Sequence, residues 1–90
     1  MAFTLKTQSS IAKEWQNFIN DANHYFKEIE KIASKEYVSK KDKLRVKMML
    51  EVLMDEYRTL KPSLLLPENI KKEAREKYLK AKKLYEKLFK

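Results

Sequence analysis

SIAKEWQNFINDANHYFKEIEKIAS, residues 10–34, decides how the rest of the chain is read. Apolar side chains recur at Ile11, Trp15, Phe18, Ala22, Tyr25, Ile29 and Ile32, in alternating steps of four and three. That alternation keeps one face of an α-helix apolar and does not match the two-residue period of a strand. Ile19, Phe26 and Ala33 widen the stripe to the breadth of a helix packed in a globular core. Ser9 and Ser10 are both good N-cap residues, so a first helix is expected from about Ser10 to Ser34. Residues 1–8 then form a short N-terminal arm. The arm is expected to be extended, because Phe3 and Leu5 alternate with polar neighbours.

Tyr37, Val38 and Ser39 make the first connection, and Ser39 with Asp42 three residues on resembles a capping box. A second helix is expected from there to about Leu60. Val46, Leu50, Leu53, Tyr57 and Leu60 form its stripe, while Leu44, Met48, Met49, Val52 and Met54 spread round the rest. As the most apolar helix it is expected to be central. Lys61-Pro62 ends it, because the residue before proline is pushed out of the α region. Leu64, Leu65 and Leu66 are expected to cap the end of the bundle, and Pro67 suits the first turn of a third helix. That helix buries Ile70, Ala74, Tyr78, Ala81, Leu84 or Tyr85, and Leu88. Short connections make consecutive helices antiparallel neighbours. The fold class is therefore all-α: an antiparallel up-down-up three-helix bundle, one domain over residues 9–90, with the arm before it.

Composition narrows the function. Ninety residues allow one domain. The absence of glycine excludes glycine-rich phosphate loops, and the absence of cysteine excludes disulfides and thiolate metal sites. A cysteine-free chain with no secretory signal and no long apolar span is expected in the cytoplasm. Abundant Lys and Glu with scarce Gln resemble thermophile usage.

Catalytic constellations are missing. His24 shares a helix face with Asp21 and Glu28, but a lone histidine between helical carboxylates reads as a solvated set. Asp55 and Glu56 are consecutive, diverge around the helix and read as surface. Trp15, and Met48 with Met49 and Met54, are possible partner anchors whose periodicity is better explained by the core. Gln8, Ile11 and Trp15 partly match a sliding-clamp-binding peptide, but Glu14 stands where the first of its two aromatics belongs. No enzyme activity, cofactor or metal is expected.

The charge carries the functional signal. The net charge is +8, from 21 basic and 13 acidic residues. Residues 1–36 sum to zero, residues 37–66 to +3 and residues 67–90 to +5. In the third helix Glu68–Lys72, Glu73–Lys77, Glu76–Lys80 and Glu86–Lys90 are spaced for i,i+4 pairing, and cations near its C-terminus suit the helix dipole. The start of the second helix has no such excuse. Lys40, Lys41, Lys43, Arg45 and Lys47 crowd its first two turns against Asp42 alone. Cations there oppose the dipole, so the cluster is the better candidate for binding phosphates, with exposed N–H groups beside it. Lys80, Lys83 and Lys87 form a secondary patch. One arginine among five suits contact with a nucleic-acid backbone rather than base reading.

In size and composition, including the run Lys40-Lys41-Asp42-Lys43 and the helix Ile70–Lys90, the whole chain resembles the small basic helical accessory subunits of crenarchaeal family-B replicative DNA polymerase holoenzymes. No diagnostic motif accompanies the likeness, so no functional residue is carried over. The resemblance implies a non-catalytic archaeal subunit that binds a larger protein, a DNA polymerase, and assists on DNA. Two rival readings are a purely protein-binding module of inhibitor or immunity type, and a membrane-surface protein using Leu84, Tyr85, Leu88 and Phe89.

Overall fold

The computed structural model describes residues 2–64 and 66–89, with backbone alone for residues 2–9. Three helices follow one another: α1 (Ala2–Ala33), α2 (Lys40–Thr59) and α3 (Glu68–Phe89). Each touches both others. Tyr57 of α2 stacks on Tyr78 of α3, while Val46 lies with Leu88 and Phe89, so α2 and α3 run antiparallel. Trp15 meets Tyr57 and Lys35 meets Asp42, so α1 and α2 are antiparallel too. The up-down-up bundle is the architecture, and no strand occurs among the described residues.

The start of α1 differs from expectation. The helix opens at Ala2, so the backbone of residues 2–8 is helical rather than an extended arm. Nothing before Ser10 is glycine or proline, and Ser9 and Ser10 inside a helix cost only about 0.5 kcal/mol each relative to alanine. Met1 lies outside the described residues.

The core is built chiefly on α1. Trp15, Phe18, Ile19, Ala22, Phe26, Ile29 and Ile32 are buried, against Val46, Leu50, Leu53 and Met54 on α2 and Ala74 and Ala81 on α3. Helix α2 packs on both of its neighbours, as expected, but not with its whole circumference. In a three-helix bundle every helix has one inward face, and apolar residues in excess of that face are left outside. Leu44, Met48 and Val52 are such residues, all exposed. The alanines Ala22, Ala74 and Ala81 are fully covered, which marks where the backbones approach closely. Leu88, expected in the core, is about half exposed, and Phe89 packs against the core instead.

Both connections fall where the sequence places them. Ser39 caps α2: its hydroxyl accepts from the Asp42 N–H at 3.1 Å, and its own N–H donates to the Asp42 carboxylate at 3.3 Å. At the other end the Trp15 Nε1–H donates to the Lys61 carbonyl at 2.8 Å, tying α1 to the loop that opens with Pro62. Of the trileucine, Leu66 is buried and caps the core, Leu64 is fully exposed, and Leu65 lies outside the described residues.

Candidate nucleic-acid interface

One end of the bundle gathers the last turn of α1, the first turns of α2 and the last turns of α3. Lys43 and Val46 share an open groove of about 420 Å³ with Ile29 and Ile32 of α1 and with Leu88 and Phe89 of α3. The charge asymmetry along the sequence thus becomes polarity along the bundle: Lys35, Lys40, Lys41, Lys43, Arg45, Lys47, Lys83 and Lys87 are brought to the same end.

The five predicted α2 residues do not form one patch. Helical spacing puts Lys43 and Lys47 on one side of α2 and Lys41 and Arg45 on the other. Lys43 lines the groove that ends at Leu88 and Phe89. Arg45 lines a different groove with Met48, Met49, and His24, Tyr25 and Glu28 of α1. Lys40, Lys41, Lys43 and Arg45 are exposed and Lys47 is half-buried. None of the five lies within ion-pair distance of a carboxylate among the described residues.

Asp42, the one acid among residues 40–47, is occupied. The Ser39 N–H bond to Asp42 holds that carboxyl below the ordinary carboxylate range, and the Lys35 ammonium at 3.4 Å adds to the effect. Lys35 is a member of the basic end that sequence reasoning missed, because it lies in the α1–α2 connection. The cap takes one donor from the helix terminus: the Asp42 N–H points at Ser39.

The secondary patch divides differently. Lys80, Lys83 and Lys87 share one face of α3, and the Lys80 ammonium sits 4.5 Å from the centre of the Phe26 ring of α1. This face is turned from α2 toward α1 and solvent. The i,i+4 pairs Glu68–Lys72, Glu73–Lys77 and Glu76–Lys80 are not formed; Glu68 meets Lys71 at 3.8 Å instead. Exposed pairs contribute little, so these lysines gain as much from water. Lys90, the partner expected for Glu86, lies outside the described residues.

Other candidates disperse. Trp15 is buried and hydrogen-bonded within the fold, and Ile11 packs against the core, so neither is available as part of a clamp-binding peptide. Met54 is buried, Met48 is exposed and Met49 lies between, so the three do not converge on one groove. His24 is exposed beside Tyr25, and Glu28 meets Lys31 at 3.8 Å. Leu84, Tyr85 and Phe89 pack against the core, leaving only Leu88 of the proposed membrane face well exposed. Among the described residues no three metal-ligating side chains gather, and no helix is long and apolar enough to cross a membrane.

Glu56 corrects its surface reading. It is half-buried and faces Asp21 across the α1–α2 contact. Burial first, then the Asp21 charge and hydrogen bond, push its carboxyl from the ordinary 4.5 up to about 7. The folded chain therefore holds this proton through a range in which the unfolded chain releases it. Stability is full below the unfolded value and is lost as pH rises through the folded one. Such a shift corresponds to about 3 kcal/mol unscreened, and partial exposure reduces it to about 1–2 kcal/mol. Glu56→Gln is expected to stabilise the protein by that amount at pH 8 and to change little near pH 4, as read by urea unfolding at both values.

No protein-family model matches the chain, and neither a curated protein nor a solved structure is found to be similar to it.

Proposed function

We propose that the protein is a non-catalytic accessory subunit of a nucleic-acid-processing complex, holding the sugar–phosphate backbone with the basic end of its bundle. The observation that carries this reading is the set of cations Lys40, Lys41, Lys43, Arg45 and Lys47 at the start of α2, with Lys43 and Lys47 together on one of its two sides. All five lack an acidic partner among the described residues, beside an Asp42 already engaged by Ser39 and Lys35. Opposition to the helix dipole and mutual repulsion both work against such a cluster, and an anionic ligand would relieve both. Lysine-rich contact without a bidentate arginine array suits phosphates, whose spacing repeats regardless of base. Lys83 and Lys87 are exposed on a separate face of α3 and make a second, lesser contact; Lys80 is less free, being engaged with Phe26.

The larger protein partner that an accessory subunit requires, a DNA polymerase by the resemblance in size and composition, belongs to the same proposal. So does a cytoplasmic setting. Fluorescence anisotropy with labelled single- and double-stranded oligonucleotides tests the reading. The isolated protein is expected to bind both with Kd of about 10⁻⁴–10⁻⁶ M near physiological salt, without sequence preference. Absence of binding even at low salt would favour the purely protein-binding module.

A further inference from the structure

Leu44, Met48 and Val52 stand 56%, 55% and 46% exposed on the outer face of α2, one helical turn apart. They make a continuous apolar ridge that neither α1 nor α3 covers. Lys41 lies two turns before Met48 and Asp55 two turns after it, both on the line of the ridge. The order Lys41, Leu44, Met48, Val52, Asp55 has spacings of three, four, four and three, symmetric about Met48 in position and antisymmetric in charge. We propose that this face is the contact between two copies of the chain, joined antiparallel along α2 with a two-fold axis at Met48.

Charge complementarity selects this occupant. A two-fold axis there sets Leu44 of one copy against Val52 of the other, Met48 against Met48, and Lys41 against Asp55 at both ends. Asp55 is available: its bond to Arg58, at 3.4 Å, is between two well-exposed side chains. A nucleic-acid backbone would meet Lys41 but would leave the three apolar side chains uncovered. An acidic protein helix would suit Lys41 and Arg45 but would meet Asp55 and Glu51 at the other end of the ridge. Only a segment that is acidic where α2 is basic, and basic where it is acidic, satisfies both ends, and α2 reversed is such a segment. Six apolar side chains, three from each copy, and two ion pairs per dimer make a small interface, so association is weak and concentration-dependent. The groove beside the ridge, bordered by Tyr25 and Met49, gives the Met48 side chains room to repack.

Sedimentation equilibrium of the full chain, without nucleic acid, tests the proposal independently of polyanion binding, so the two readings fail separately. The average mass is expected to rise from monomer toward dimer with concentration. Lys41→Asp and Asp55→Lys are each expected to raise the dissociation constant about tenfold, and the two combined to bring it back near the wild-type value. The chain has no cysteine, so Met48→Cys should oxidise to a linked dimer much faster than Lys27→Cys, which lies on the exposed side of α1. A monomer at every concentration, a double reversal no better than either single change, or equal cross-linking at positions 48 and 27 would overturn the two-fold contact.

Discussion

Leu53→Ala is expected to cost about 2–5 kcal/mol of stability. Leu53 is fully buried in the middle of α2, inside the cluster that joins Phe18 and Ala22 of α1 to Ala81 of α3. Ala22, Ala74 and Ala81 belong to the same buried cluster, and alanines have no reach with which to refill the space. The cost is therefore expected in the upper half of that range, because an uncollapsed cavity adds to the lost transfer energy. A ninety-residue domain has a total stability of only about 5–15 kcal/mol, so the variant should unfold at a markedly lower urea concentration with an unchanged slope. A loss below about 0.5 kcal/mol would mean that the inward face of α2 is not the one containing Leu53.

The burial of Leu53 was legible in the sequence because it lies on the Val46–Leu50–Leu53–Tyr57 stripe, and spacing of this kind reports one face of a helix. The same helix shows where spacing stops being informative. Apolar residues surround α2 almost completely, so periodicity alone does not say that Met54 is buried while Leu44, Met48 and Val52 are not. Only the positions of α1 and α3 decide that. The start of α1 is not legible at Ser9 and Ser10, because serine is a good cap but also a tolerable interior residue. The Asp21–Glu56 contact had no local signal, since the two carboxylates come from different helices. In the candidate interface, the basic residues and the Ser39–Asp42 cap were readable from local order. Their division between two sides of α2, and the arrival of Lys35 at the same end, depend on how the helices assemble.

Reversing both Lys43 and Lys47 to glutamate is the second large expected effect. The two residues share the α3-facing side of α2 and have no acidic partner to release among the described residues. The double variant is expected to lose at least about tenfold in affinity, equally for all oligonucleotide sequences, because each lost lysine removes a phosphate contact and each glutamate adds a repulsion. Its stability should be unchanged or slightly higher, since acids near a helix N-terminus complement the dipole that cations oppose. Lys83→Glu with Lys87→Glu is expected to cost less binding and some stability, because those cations sit at the favourable end of α3. Lys43 and Lys47 lie off the Leu44–Met48–Val52 ridge, so self-association should survive their reversal.

The salt dependence of nucleic-acid binding tests the central claim most directly. The logarithm of the association constant, measured against the logarithm of salt concentration for wild type and for Lys43→Glu/Lys47→Glu, should fall linearly for both. The slope for the double variant should be shallower by about two, one for each phosphate contact removed. Identical slopes and affinities for the two proteins, with the loss appearing instead in Lys83→Glu/Lys87→Glu, would contradict the assignment of the interface to the start of α2.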